Sequence, residues 1–387
     1  MQTYASLPVA FVRGEGAQLW DAQGRKYLDA LSGVAVCGLG HAHPAVTKAI
    51  CDQAGQLIHT SNWYRIALQE KLAESLCQVS GMDNAFFCNS GAEANETAIK
   101  LARLYGHKRK VRHPTIIVME GSFHGRTLAT LTATGNRKTQ AGFEPLVQGF
   151  NRVPFDDIDA VRQVGVNNAE VVAVLVEPVQ GESGIVIPHP GYLKTLRMLC
   201  DEYGWLLMLD EIQTGMCRTG KWFAFQHEEI LPDVITLAKG LGNGMPIGAC
   251  LARGEAAKVL QAGSHGSTFG GNPLACRAAL AVLDTLAGDK LDRRAAELGE
   301  RMLAGFRKAL EGITGVKDIR GRGLMLAIEL DRPCQELMNT ALEQGLLINV
   351  TVESVIRLLP PLILSNEEAD HLVGELSSIV KRFLGEK

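Results

Sequence analysis

Short, unbroken apolar runs recur along the middle of this chain, at 85–87, 115–119, 171–176, 205–209, 234–237 and 249–251. Runs of this length without alternation predict strands buried on both faces. Between them, 92–105 and 192–203 carry helical spacing, the second introduced by Pro190-Gly191. Strands alternating with helices predict an α/β fold, a mostly parallel sheet covered on both faces. Upstream, Gly14-Glu15-Gly16 and Asp21-Ala22-Gln23-Gly24 read as hairpin turns, and helical spacing begins after His43-Pro44 at Val46, Ile50, Ala54 and Leu57. A second helix is expected over 67–79. From Asn272 the pattern changes to helices at 273–286 and 291–310, short strands at 324–330, 346–350 and 355–359, and an amphipathic helix at 367–384. This reads as a smaller α+β C-terminal domain. The expected division is a large domain over 46–275 and a small one over 276–387, with the segment 1–45 packing on the small domain.

Composition changes this picture little. A chain of 387 residues exceeds what one core usually supports, which agrees with two domains. A net charge of −3 gives no electrostatic case for nucleic acid or an anionic membrane. No apolar run approaches a membrane span, and residues 1–10 lack a basic stretch followed by an apolar core. The nine cysteines are scattered without a Cys-x-x-Cys pair, so reduced thiols, no zinc site and a cytoplasmic location are expected.

Candidate chemistry gathers at the ends of the apolar runs. The run 234–238 ends in Lys239, followed by Gly240-Leu241-Gly242-Asn243-Gly244, and the run 205–209 ends in Asp210. Open sheets bind ligands at the C-terminal ends of their strands. A desolvated lysine there is a Schiff-base nucleophile, and an aspartate there is the partner of a pyridinium nitrogen. Together they suggest pyridoxal 5′-phosphate (PLP). Gln213, within Asp210-Glu211-Ile212-Gln213, can reach the ring's phenolic oxygen. A carboxylate pair binding metal is the bland alternative, and the phosphate loop that a Mg²⁺ site would require is missing from the sequence. Asn89-Ser90-Gly91-Ala92-Glu93 offers a helix start for a phosphate, although taken alone an ordinary N-cap accounts for it better. Phe123 can stack on a planar ring and Arg126 can hold a carboxylate; alone, both are also a common loop. Ser267 and Thr268 stand among glycines before a helix and suit a second phosphate contact. Glu182 lies in a loop after a strand. Arg357 interrupts an apolar strand, which calls for a carboxylate partner or a ligand.

In this order the segments resemble the class-III, fold-type-I PLP aminotransferases, the acetylornithine group most closely. The resemblance runs from Gly33-Val34-Ala35-Val36 and Leu39-Gly40-His41-Ala42-His43-Pro44, through Glu177-Pro178-Val179-Gln180-Gly181-Glu182 and Arg218-Thr219-Gly220-Lys221, to Arg357. It implies that Lys239 bonds the cofactor and moves the proton, that Asp210 partners the ring nitrogen, and that Phe123 covers the ring. Gly91 and Ala92 would hold the phosphate, with Glu211, Ile212 and Gln213 also at the cofactor. Thr268 would reach the cofactor of the other subunit, implying a homodimer with a shared active site. Arg126 and Ser267 would contact an acylated ornithine. Arg357 would bind the α-carboxylate of glutamate, with Glu182 masking it when the amino donor is bound. The reaction implied is ping-pong transamination of N2-acetyl-L-ornithine with 2-oxoglutarate, in arginine biosynthesis. Succinylornithine, ornithine or 4-aminobutyrate aminotransferases and an aminomutase are the rivals. Cys217, Cys37 and Ser183 depart from the usual glycine, asparagine and glycine. A dinucleotide site is disfavoured, because Gly240-x-Gly242-x-Gly244 has the wrong spacing.

Overall fold

The computed structural model describes residues 1–385, so the last two residues of the expected small domain lie outside it. A seven-stranded sheet dominates it. Numbering strands from the N-terminus, after a meander of β1 (Phe11–Glu15), β2 (Gln18–Asp21) and β3 (Lys26–Asp29), this sheet comprises β4 (Asn84–Cys88), β5 (Thr115–Met119), β6 (Phe150–Val153), β7 (Val171–Val176), β8 (Leu206–Asp210), β9 (Val234–Leu237) and β10 (Gly248–Ala252). The spatial order is β4-β10-β9-β8-β7-β5-β6. The pairs from β6 through β9 are parallel, and β10 runs antiparallel to both β9 and β4. Every residue of β5, β7, β8 and β9 is buried, as their unbroken apolar runs require. Two apolar clusters pack around the sheet, one including Ile117, Val174, Leu207 and Ile235, the other Ile116, Ala173, Leu206 and Val234. Adjacent positions fall in opposite clusters, as a period of two demands.

Helix starts are set locally. The helix Gly91–Lys108 is capped by Ser90, whose Oγ accepts from the Glu93 N–H at 3.2 Å, while Glu93 reaches back to the Asn89 N–H at 2.5 Å. The helix Asn366–Leu384 opens with a reciprocal Ser365–Glu368 capping box.

Beyond the helices Pro273–Gly288 and Leu291–Ala309, a second sheet is antiparallel, in the order β11-β12-β15-β14, from β11 (Val316–Arg322), β12 (Met325–Leu330), β14 (Asn349–Thr351) and β15 (Val355–Leu358). The run expected as one strand over 346–350 is two: Leu346–Leu347 is β13, which leaves this sheet and pairs in parallel with β3, Leu346 opposite Leu28. Residues near the two ends of the chain thus share a four-stranded sheet, β1-β2-β3-β13.

Candidate active site

Five parallel-running strands deliver polar groups to one edge of the large sheet. β4 leads into Ser90 and the following helix, β5 into Phe123 and His124, β7 into Glu177, β8 ends in Asp210, and β9 leads into Lys239. They line a cavity of about 470 Å³, together with Gly91, Ala92, Arg126, Glu182, Ile212, Gln213 and the segment 244–247. This is the ligand-binding edge of an open α/β sheet.

Lys239 sits at the start of a short 3-10 turn with φ of 45°, a left-handed conformation unusual for lysine. Such strain is held where the surroundings over-determine it. Desolvation lowers its pKa, which leaves the amine neutral more readily; Glu182, Arg357, Asp210 and Glu177 are the charged groups that face it.

Asp210 is 4% exposed and anchored by three donors. Its Oδ2 accepts from Asn95 Nδ2 and His124 Nδ1, each at 2.7 Å, and its Oδ1 accepts from the Ile212 N–H at 3.1 Å. Asn95 is fixed in turn: its Oδ1 accepts from Thr236 Oγ1 at 2.8 Å and its Nδ2 also donates to the His124 carbonyl at 2.8 Å. His124 and Asn95 are buried site residues that the sequence reading missed. Asn95 was detectable as a polar residue four positions beyond Gly91, on the buried face of its helix. His124, beside Phe123, gave no signal of its own until Asp210 was placed against it.

Phe123 and Arg126 line the cavity together, the guanidinium 5.7 Å from the ring centroid. At the helix start, a methyl group on Gly91 would lie 2.7 Å from Ile212 Cδ1, so glycine lets helix and loop approach. Glu182 faces the cavity and pairs with Arg357 Nη1 at 2.7 Å. Arg357 stands behind it, buried, with Asn349 Oδ1 accepting from its Nη2 at 2.8 Å. Burial alone would raise the pKa of Glu182; the charge of Arg357 and its hydrogen bond hold it below the usual range.

Three expected site residues lie elsewhere. Glu211 does not line the cavity. Alternation along the strand turns its carboxylate the other way, where Thr214 Oγ1 donates to it and the Ala224 and Phe225 N–H groups donate at 3.0 Å. Burial pushes its carboxyl up to about 7. Its carboxylate is thus engaged by the loop 214–225 rather than by the cavity. Ser267 and Thr268 line a separate surface recess of about 960 Å³ with His59, Asn62, Trp63 and Gln69. Ser267 Oγ accepts from the Gly270 N–H at 3.0 Å and from Asn89 Nδ2 at 3.2 Å. Trp63 in this recess is 92% exposed, and Leu57, Ile58, Tyr64 and Phe269, close in sequence to its lining residues, are exposed as well.

The residues present fit a phosphorylated pyridine aldehyde. A carboxylate, an amine of lowered pKa, an aromatic ring and a helix start converge on one cavity, and His124 Nε2 and Gln213 Oε1 are buried polar atoms without partners among the described residues. Among those residues no cluster of metal-binding side chains occurs and no helix is long and apolar enough to cross a membrane.

Comparisons with known proteins point the same way. The sequence profile of the family described as aminotransferase class-III matches residues 1–380. Acetylornithine aminotransferase of Nitrosomonas europaea is 60% identical over 384 residues, covering 99% of this chain and 98% of its own. That of Aquifex aeolicus is 46% identical over 381 residues, covering 98% and 99%. Among solved structures, the ornithine aminotransferase of Toxoplasma gondii superposes with a TM-score of 0.96 at 36% identity, covering 100% of this chain and 93% of that one. A second structure of that enzyme has PLP at partial occupancy at the active site. The N-acetylornithine aminotransferase of Stenotrophomonas maltophilia gives 0.86 at 36% identity, covering 99% and 98%.

Proposed function

This chain belongs to the class-III aminotransferases, and from that premise we propose that it transfers the δ-amino group of N2-acetyl-L-ornithine to 2-oxoglutarate, giving N-acetyl-L-glutamate 5-semialdehyde and L-glutamate. The observation that carries this reading is the convergence of Lys239 and Asp210 on one cavity whose wall also holds the Glu182–Arg357 pair. The names of the relatives supply the acyl group.

PLP, when bound, supplies an aldehyde that captures the amine and a ring that takes up the electron pair left by a departing proton. Gly91 and Ala92 offer N–H groups at a helix start to its phosphate, and Phe123 covers its ring. Asp210 would keep the ring nitrogen protonated, and Asn95, His124 and the Ile212 N–H fix its carboxylate for that role. Lys239 Nζ is placed to take the proton from the carbon bearing the amino group, and its lowered pKa favours the neutral amine that this needs. Arg357 and Glu182 divide the two substrates. With the pair closed, the guanidinium is occupied, which suits an amino donor whose reacting carbon carries no carboxylate. With Glu182 displaced, Arg357 takes a carboxylate of the 2-oxo acid through its planar fork.

The protein acts as a homodimer with a shared site, in this reading. Thr268 is exposed beside a rim of apolar side chains, and such a patch marks an interface. Comparing kcat/KM for acetylornithine, succinylornithine, ornithine and 4-aminobutyrate tests the substrate: acetylornithine should lead, and a lead by any other refutes the assignment.

A further inference from the structure

Glu177 follows β7, is buried, lines the cavity and has no part in the chemistry above. Its two oxygens serve different segments. Oε2 accepts from the Phe123 N–H at 2.9 Å, and Oε1 accepts from the Gly181 N–H at 3.4 Å. Gly181 is held on its other sides as well. Its carbonyl accepts from Arg357 Nη1 at 3.1 Å, the same nitrogen that bonds Glu182 at 2.7 Å. A methyl group on its Cα would lie 2.0 Å from Gln213 Oε1. One glycine therefore touches Arg357, the side chain of Gln213 and the carboxylate that anchors Phe123.

We propose that Glu177 is a positioning residue that couples the Glu182–Arg357 pair, through the Gly181 backbone, to the segment carrying Phe123 and to the charges around Lys239. The proposal rests on the aminotransferase reading. When Arg357 turns from Glu182 to an incoming dicarboxylate, the Gly181 carbonyl loses or shortens its bond to Nη1. The Gly181 carbonyl and N–H belong to adjacent peptide planes that meet at its Cα, and Gln213 crowds that Cα, so a shift of the carbonyl displaces the N–H as well. Glu177 then changes its hold on Phe123. His124, Asp210 and Lys239 face this carboxylate directly, and the Glu182–Arg357 pair reaches it through Gly181. Burial pushes its own pKa up, so its charge responds to small changes in these neighbours. Glu177 thus reports to the cofactor side which substrate the site is holding.

The test uses the holoenzyme and glutarate, an unreactive five-carbon dicarboxylate. The pH midpoint of the cofactor's visible absorbance is measured with and without saturating glutarate. Glutarate binding to the cofactor-free protein is measured by calorimetry. In the wild type, glutarate should move the midpoint by about half a unit or more, the scale of one altered charge contact. In E177Q the amide presents a donor to the Phe123 or Gly181 N–H, and the movement should vanish while the glutarate Kd stays within about threefold, because Arg357 is untouched. E177D, which keeps the charge but shortens the reach, guards against misfolding of E177Q and should also reduce the movement. A midpoint that glutarate leaves unmoved in the wild type, or moves equally in the variants, overturns the coupling alone. A tenfold or greater loss of glutarate affinity in E177Q also overturns it, since Glu177 would then belong to the binding site. Absence of any visible band in the wild-type protein overturns the functional reading and the coupling with it.

Discussion

Replacing Asp210 by asparagine keeps the shape of the side chain and removes its charge. Oδ2 now accepts from two donors at 2.7 Å, Asn95 Nδ2 and His124 Nδ1. Asparagine can offer an oxygen to this pair only by turning its NH₂ toward the Ile212 N–H, so in either rotamer a donor faces a donor. A hydrogen bond to a charged group is worth about 1.5–3 kcal/mol, so D210N should lower the stability of the cofactor-free protein by about that amount. The ring nitrogen loses a contact of the same class. A loss of about 3 kcal/mol lowers its pKa by roughly two units and kcat by about a hundredfold or more. Three measurements separate these effects: denaturant unfolding without cofactor, PLP affinity by fluorescence titration, and single-turnover rates for the amine half-reaction. A rate within tenfold of wild type in saturating PLP would refute the assignment of Asp210 to the ring nitrogen, whatever happens to stability.

Three further outcomes are expected. E182A leaves Arg357 with Asn349 and the Gly181 carbonyl but no opposing charge, so the free guanidinium should trap the donor's carboxylate; kcat/KM for the amine half-reaction should fall about tenfold or more while that for 2-oxoglutarate is kept, and an equal fall in both would count against the switch. Glu211, with a folded-state pKa of about 7 against an unfolded value near 4.5, contributes stability that is complete below pH 4.5 and is lost as pH rises to 7, a change of about 3 kcal/mol; denaturation of the cofactor-free protein across pH 4.5–7.5 should show this slope and E211Q should flatten it, whereas an unchanged slope would contradict the assigned burial. Mixing the inactive variants K239A and T268D should restore about a quarter of the wild-type activity through hybrid dimers, because a threonine that crosses the interface leaves one intact site per hybrid; no recovery would place Thr268 at its own chain's site.

The apolar runs were legible because burial on both faces leaves no alternation to misread: 115–119, 171–176 and 234–237 match β5, β7 and β9 residue for residue. β6 and β11 gave no such signal. β6 is an edge strand, Phe150-Asn151-Arg152-Val153, and β11 carries charges on a half-exposed surface, so neither needs an apolar run. In the site, Lys239 and Asp210 could be read because a charge directly after a buried strand is costly without a partner or a ligand to meet it. That the Glu211 carboxylate turns from the cavity was not legible, because adjacency in sequence does not convey that neighbouring side chains leave a strand on opposite faces. His124 and Asn95 act on Asp210 from other elements, and contacts between distant segments leave no local pattern.

The pairing of β3 with β13 also bears on how the chain is made. Residues 26–29 leave the ribosome early, yet their parallel neighbour at 346–347 follows some three hundred residues later. At roughly 5–20 residues per second, that is a delay of tens of seconds. The whole seven-stranded sheet, with the cofactor cavity on its edge, has been synthesised in the meantime. The meander β1-β2-β3 must therefore wait through the synthesis of that sheet with one edge unpaired. An unpaired strand edge is a template for association, and here it lasts while some three hundred residues are added. Emergence of 346–347 closes that edge, so a two-residue strand ends an exposure that the large sheet cannot.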